Sequence, residues 1–145
     1  MNNFDFVEKF ISGTKEKQLK WSEFSGTVNG CVYKQQNEYE QAFFVLRKGS
    51  FVLITKRADY DDYGNYTGNK YTLIILDSAL TEQYRIDDDN LFDSDSGTSA
   101  AYRSKENQLV LSRLFRLAER SAKNVDRLLE NLAAGLADSS DELPF

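Results

Sequence analysis

Three short runs of consecutive apolar residues in the middle of the chain constrain its fold more than any other feature. They are Phe43–Leu46, Phe51–Ile54 and Leu73–Leu76, and each has the length of a buried β-strand. Neighbouring side chains of a strand point to opposite faces, so these runs place apolar groups on both faces. A sheet with one face in water would alternate apolar and polar residues. We therefore expect both faces to be covered, by a helical layer on each or by a helix on one and a second subunit on the other.

Turn residues between the apolar runs predict an antiparallel meander of about five strands. Asn29-Gly30 fits a two-residue type I′ turn, which needs the positive φ angles that these residues adopt at least cost. Lys48-Gly49 predicts a second tight turn. The five predicted strands are Phe24–Val28, Cys31–Gln35, Ala42–Arg47, Phe51–Arg57 and Lys70–Leu76, and Gln83–Ile86 fits a further short strand at the edge. Polar loops are predicted for Ala58–Asn69 and Asp87–Ser99.

Apolar residues spaced by three and four predict a helix at the amino terminus. Asn2 or Asn3 would cap this helix, because a short amide side chain accepts from free N–H groups of the first turn. Its end is expected near Lys17 or Gln18. Gly13 weakens the helix by roughly 1 kcal/mol and indicates a close contact at that position.

The same spacing recurs without a break near the carboxyl terminus. The apolar positions are Leu111, Phe115, Ala118, Ala122, Val125, Leu129, Leu132 and Leu136. They fit either one long helix or two helices, the second capped by Asn124. Gly135 is the expected stop.

These elements predict an α+β fold with an amino-terminal helix, the meander, and one or two carboxy-terminal helices. We expect a single domain over residues 1–136 and an acidic, flexible tail over residues 137–145. One cysteine, Cys31, excludes an internal disulfide. Neither a secretion signal nor an apolar run long enough to cross a membrane is visible, so we expect a cytoplasmic protein without a membrane partner.

Familiar catalytic patterns are missing from the sequence. The chain has no histidine and one cysteine, which excludes the usual serine or cysteine triads and the common zinc sites. It has no glycine-rich phosphate loop, and its acidic loops lack the spacing of a helix–loop–helix calcium site. We therefore expect no enzyme activity, no cofactor and no metal. A hydrolase that uses carboxylates alone is the enzymatic alternative.

Charge is unevenly distributed along this chain of net charge −5, and residues 59–95 carry 10 acidic and 2 basic side chains. Tyrosines lie within that acidic stretch, and tyrosine is common in binding surfaces because it offers a large area at a low entropic cost. The candidate partner-binding residues are Tyr60, Asp61, Asp62, Tyr63, Tyr66, Asp87, Asp88 and Asp89. The alternatives are solvated loops for the aspartates and, for the tyrosines, a hairpin loop in which they pack back on the sheet.

Basic residues at helical spacing form a stripe in the carboxy-terminal region. They are Arg113, Arg116, Arg120, Lys123 and Arg127. Such a stripe can lie along a phosphate backbone or an acidic partner, or it can pair with acidic side chains of the same protein. Nucleic acid is disfavoured as a ligand because the chain as a whole is acidic.

The order of Phe10-Ile11, Thr14-Lys15 and Leu19-Lys20-Trp21, followed by the Asn29-Gly30 hairpin, resembles small, uncharacterised proteins of bacteria and their phages. Those proteins pair an amino-terminal helix with a β meander and terminal helices. The resemblance implies a microbial cytoplasmic protein and no particular activity.

From the missing catalytic patterns and the segregated charge, we predict a non-enzymatic protein-binding module of inhibitor, immunity or adaptor type. Its partner would be another protein. Two alternatives stay open: a homodimer that assembles through the carboxy-terminal helices, and an acidic mimic of nucleic acid.

Overall fold

A computed structural model describes residues 1–28, 30–35, 38–91, 100–134 and 136, and it confirms the α+β fold class. Within these residues the elements are α1 (Asn3–Lys15), β1 (Ser22–Glu23), β2 (Thr27–Val28), β3 (Cys31–Val32), β4 (Gln41–Arg47), β5 (Ser50–Tyr60), β6 (Tyr66–Leu76), β7 (Glu82–Ile86), α2 (Ala100–Ala122) and α3 (Val125–Ala133). The predicted tail, residues 137–145, lies outside the described residues, as do Asn29 and Gly135.

The main sheet has the order β1-β4-β5-β6-β7, and every neighbouring pair is antiparallel. The predicted meander is therefore confirmed, including the tight turn at Lys48-Gly49, where both residues have positive φ. The strand β1 was not predicted. Its two residues pair with Phe43 and Phe44 of β4 and add an edge to the sheet.

The predicted hairpin around Gly30 forms, but it is shorter than expected and makes a separate two-stranded sheet. Only Thr27–Val28 and Cys31–Val32 pair, with Val28 opposite Cys31. The chain turns at Gly26, where φ is 91°, and this turn separates the hairpin from Phe24, which is buried against the main sheet.

Helix α1 begins as predicted and ends two or three residues earlier than predicted. The Asn2 side chain accepts a hydrogen bond of 2.8 Å from the N–H of Asp5. The helix ends at Lys15 because the chain reverses through Lys17, whose φ is 61°. The reversal lays Leu19 over Gly13, where a Cβ atom would lie 3.1 Å from the Leu19 side chain. Gly13 therefore marks a close contact, as the sequence indicated.

One face of the sheet is covered by α1 and α2. Its buried side chains include Val7, Ile11, Phe43, Ile54, Leu73, Leu114 and Phe115. Trp21 is buried beside them, and its indole N–H donates to the hydroxyl of Thr14 at 2.9 Å. The loop and helix segments of the amino-terminal third are thereby tied to the sheet.

The opposite face is also apolar, but the prediction that a second helical layer or a second subunit would cover it is wrong. The buried side chains there include Phe24, Tyr33, Phe51, Leu53, Ile74, Leu76 and Leu80. Irregular chain around the small sheet covers them, because Phe24, Tyr33 and Tyr39 pack there as a group of rings 6.1–6.3 Å apart. A short segment rich in aromatic residues thus covers this face of the sheet, where a helix was expected.

A polar cluster fastens this covering segment to β7. Arg85 donates to Glu82 at 2.7 Å and to Glu38 at 3.3 Å. Tyr33 lies next to Glu82, and burial, reinforced by that carboxylate, raises the pKa of Tyr33 to about 12. Burial likewise raises the pKa of Tyr39 to about 12, and the Tyr39 hydroxyl has no hydrogen-bond partner among the described residues.

The raised pKa values of Tyr33 and Tyr39 lead us to expect a loss of stability in strong base. An unfolded tyrosine releases its proton near pH 10, whereas these two retain it in the folded chain up to about pH 12. Their contribution is therefore complete below pH 10 and lost as pH rises from about 10 to about 12. Chemical unfolding at a series of pH values should show this fall, and Tyr39→Phe should make it shallower; an equal slope in the variant would contradict the assignment.

The carboxy-terminal region forms two helices, so the two-helix alternative is the correct one. The break lies at Asn124, whose φ of 53° is left-handed, a conformation that asparagine tolerates better than most residues. Asn124 occupies the N-cap position of α3 as predicted, but its side chain makes no capping hydrogen bond to the helix. In the part of the chain that the structure describes, no helix is both long and apolar enough to cross a membrane.

Candidate functional site

The β5–β6 hairpin extends farther than the sequence indicated, and the predicted loop Ala58–Asn69 is wrong. Strand pairing continues through Ala58 opposite Asn69 to Tyr60 opposite Tyr66. An irregularity between Asp59 and Tyr60 breaks the register. Gly68 lies opposite Asp59 with a φ of 127°. The connecting loop is thus only residues 61–65.

This end of the hairpin projects beyond the neighbouring strands. Among the described residues, β4 pairs with β5 no farther than Lys56, and β7 pairs with β6 no closer to the loop than Leu73. The segment from Tyr60 to Tyr66, called the hairpin tip below, is therefore held by its own pairing and its own turn. It contains five of the eight residues that the sequence singled out for partner binding.

Asp61 organises the turn of the hairpin tip. Its carboxylate accepts hydrogen bonds from the N–H groups of Tyr63 at 2.9 Å and Asn65 at 2.8 Å. Its own N–H donates to the carbonyl of Asn65 at 2.9 Å. The N–H of Asn65, followed by that of Tyr63, holds the pKa of Asp61 below its usual range. The role of Asp61 is therefore to shape the tip, which the sequence did not reveal.

The tyrosines of the hairpin tip point into solvent and do not pack back on the sheet. Tyr63 is 90% exposed, and Tyr60 and Tyr66 are 60% and 59% exposed. The rings of Tyr60 and Tyr66 meet edge to face with centroids 6.0 Å apart. Asp62 is also exposed. The tip thus presents three aromatic rings and one carboxylate on a framework that is already ordered.

Asp87, Asp88 and Asp89 form a separate cluster after β7. Asp87 accepts from the N–H of Asp89 at 2.9 Å. Asp88 lies 3.7 Å from the ammonium of Lys70, about 13 Å along β6 from Tyr66. The structure therefore does not bring these aspartates into one patch with the hairpin tip.

Oxygens of the same three carboxylates lie within 4.8 Å of one another, a spacing that would suit a divalent cation. Two of the three carboxylates already have contacts within the protein: Asp87 accepts a backbone hydrogen bond in its loop, and Asp88 lies beside the ammonium of Lys70. These contacts explain the proximity of the carboxylates without a bound cation.

The predicted basic stripe is exposed along its whole length, and it is partly paired within the protein. Arg120 donates to Asp126 at 2.7 Å, and Lys123 donates to Glu119 at 3.1 Å. Arg127 belongs to α3, across the break at Asn124. The alternative in which the stripe pairs with acidic side chains of its own protein is therefore correct for two of its five members.

A groove that sequence reasoning missed lies between the end of α1 and the two carboxy-terminal helices. Its volume is about 780 Å³, and it brings Lys15, Lys17 and Lys20 near Arg120 and Arg127. The N–H of Trp21 donates to Ser121 at 3.0 Å and ties the two walls together. Because these residues are about a hundred positions apart in the chain, no local pattern could have indicated the groove.

The hairpin tip can bury rings against a partner, accept hydrogen bonds and attract cationic groups.

Comparisons of the chain with protein-family models, with curated proteins and with solved structures find no significant match.

We expect Asp61→Ala to loosen the hairpin tip without unfolding the domain. The variant removes the acceptor for two backbone N–H groups, so the amides of Tyr63 and Asn65 should exchange with solvent faster. Acid should act in the same direction, because a carboxylate with a lowered pKa loses its stabilising effect as pH falls through that value. Hydrogen exchange measured by NMR, with Asp62→Ala as the matched control, tests this; unchanged exchange in Asp61→Ala would refute the role of Asp61.

Proposed function

We propose that this protein is a non-enzymatic protein-binding module and that the hairpin tip is its contact surface. The observation that carries the proposal is the display of Tyr60, Tyr63 and Tyr66 in solvent at the end of a hairpin that projects from the sheet. Exposed aromatic rings gathered at one place are a common mark of an interaction site. Burial of tyrosine against a partner releases a large area from water at the cost of few rotatable bonds.

Preorganisation of the tip supports the proposal. Binding costs free energy when loops must become ordered. Here the hydrogen bonds of Asp61 and the pairing of Tyr60 with Tyr66 supply the order in advance. An interface built on this tip would therefore keep most of the free energy that its rings gain on burial.

The charge of the tip indicates what kind of partner it suits. Asp59 and Asp62 are exposed beside the rings, so a neutral or basic protein surface with recesses for aromatic rings is favoured. Such carboxylates speed the encounter with a basic partner, and arginine of the partner can stack on tyrosine. A phosphate backbone would be repelled by the same groups.

A comparative capture experiment tests the proposal. Tagged wild-type protein, the double variant Asp62→Ala/Tyr63→Ala and the control Leu46→Ala are each used to recover material from the lysate of the native host, with protein and nucleic-acid detection on every sample. We expect one protein at stoichiometric amounts with the wild type and the control, and its loss with the double variant. A protein retained equally by all three would refute the assignment of the tip.

Salt dependence of the captured complex separates this function from the acidic mimic of nucleic acid. A mimic holds a basic groove through its carboxylates, so its affinity falls steeply as salt screens the charges. An interface centred on tyrosine rings, with only Asp59 and Asp62 beside them, should lose much less affinity over the same range.

A further inference from the structure

Positive charge is concentrated in the groove between the end of α1 and the two carboxy-terminal helices, which is called the basic groove below. The cationic side chains that line its walls are Lys15, Lys17, Lys20, Arg120 and Arg127. Among the described residues that line it, the only carboxylates are those of Asp126 and Glu130. The lining therefore has a net charge of +3, although the chain as a whole carries −5.

Most of the cations of the basic groove are not neutralised within the part of the chain that the structure describes. Arg120 donates to Asp126 at 2.7 Å. The other four cations make no ion pair with a described residue, and all four are exposed. Their charge is thus available to an anionic ligand.

Lys17 stands at a position where the backbone favours glycine. The N–H of Gln18 donates to the carbonyl of Gly13 at 2.8 Å. The N–H of Lys17 donates to the carbonyl of Thr14 at 3.1 Å. These two bonds form a Schellman motif, whose left-handed residue is usually glycine, and a lysine with a φ of 61° is strained by comparison. The end of α1 therefore explains a left-handed residue at this position but does not explain a lysine.

Arg127 is likewise placed against its local surroundings. It lies in the first turn of α3, which begins at Val125, and a cation is disfavoured there because it meets the positive end of the helix dipole. Lys15 differs, since it lies in the last turn of α1, where a cation is favoured. Local structure thus accounts for Lys15 but leaves Lys17 and Arg127 without a local cause.

We propose that the basic groove binds a small anionic molecule that carries two or more phosphate groups. Residues that violate local preferences are expected at functional sites, and Lys17 and Arg127 both line this groove. Arginine binds phosphate through paired hydrogen bonds, and lysine binds it as a point charge. The volume of about 780 Å³ is that of a small-molecule site. The hydrogen bond between Trp21 and Ser121 ties the walls together before a ligand arrives.

The limited extent of the positive charge favours a compact ligand over a nucleic acid. A nucleic acid carries its phosphates along a strand, and a strand that extends beyond the groove meets a protein of net charge −5. A small polyphosphate would meet only the groove, where cations outnumber carboxylates by five to two.

Isothermal titration calorimetry of the full chain with inorganic tripolyphosphate tests the proposal independently of the hairpin tip. We expect one binding site on the wild type, and we expect Lys17→Gly and Arg127→Gln each to weaken binding at least about tenfold. Lys48→Gly is the matched control. Lys48 is also exposed and left-handed, with a φ of 50°, but it lies in the turn between β4 and β5 and does not line the groove. This control should bind tripolyphosphate like the wild type.

Lys17→Gly should keep the fold, because glycine suits the left-handed position better than lysine, and unfolding by denaturant followed by Trp21 fluorescence verifies this. Absence of binding at about 1 mM tripolyphosphate would overturn the proposal. Equal affinities of the wild type and Lys17→Gly, or an equal loss in Lys48→Gly, would do the same. Tighter binding of hexaglutamate than of tripolyphosphate would also overturn it and assign the groove to acidic peptides.

Discussion

Replacement of Phe43 with alanine is expected to lower the free energy of unfolding by about 3–5 kcal/mol, the largest effect of any single change considered for this protein. Phe43 is fully buried at the centre of β4. Its ring packs on Phe115 of α2 with centroids 5.3 Å apart, and its backbone pairs with Ile54 of β5. Truncation would leave a cavity where the sheet meets the helical layer.

The single tryptophan offers a direct readout of this loss. Trp21 is buried in the same core and donates to Thr14, so its fluorescence should change on unfolding by denaturant. Leu46→Ala is the matched control, because Leu46 lies on the same strand but is 55% exposed; it should shift stability by less than about 0.5 kcal/mol. Equal losses in the two variants would mean that the face covered by α1 and α2 is not the main core.

Replacement of Tyr63 with alanine is expected to weaken partner binding at least about 30-fold, which corresponds to roughly 2 kcal/mol. Tyr63 is the most exposed of the three rings and lies at the centre of the turn that Asp61 organises. Residues with this placement become fully buried on association and carry much of the binding free energy. The measurement is the dissociation constant of the captured partner by calorimetry.

Two controls separate a lost contact from a damaged fold. Tyr63→Phe keeps the ring and should retain most of the affinity. The free energy of unfolding of Tyr63→Ala should stay within about 0.5 kcal/mol of the wild type, since the side chain is solvent-exposed. Unchanged affinity in Tyr63→Ala would remove this residue from the interface.

The central strands could be predicted because their signal is local. Phe43–Leu46, Phe51–Ile54 and Leu73–Leu76 carry their apolar residues consecutively, and the structure pairs them in β4, β5 and β6. The same runs also predicted that both faces of the sheet are covered. The sequence did not predict which segment covers the second face, because a segment without regular structure has no hydrophobic periodicity.

The outer part of the β5–β6 hairpin was missed for a related reason. Beyond Arg57 the strands leave the core, so polar residues occupy both faces and the apolar signal ends. The residues of Tyr66–Asn69 include Gly68, which is usually a mark of a loop but here absorbs an irregularity in the pairing. The strand β1 is two residues long and equally without a pattern.

Composition alone located the hairpin tip, but the roles within it depend on geometry. Asp61 and Asp62 are identical in type and adjacent in sequence, yet only Asp61 has its carboxylate bonded to the turn. The separation of Asp87–Asp89 from the tip depends on where β7 pairs along β6. The sequence did not decide between one helix and two because the apolar spacing continues from Leu111 to Leu136 through the left-handed residue Asn124.

Photo-crosslinking in the native host tests the function of the hairpin tip most directly. The change Tyr63→p-benzoyl-phenylalanine places a reactive ring at the centre of the tip, and the same change at Leu46, which is also exposed, serves as the control position. After irradiation we expect one discrete adduct with another protein from position 63 and none of that mass from position 46. No adduct from position 63, or the same adduct from both positions, would contradict the proposal that the tip is the contact surface.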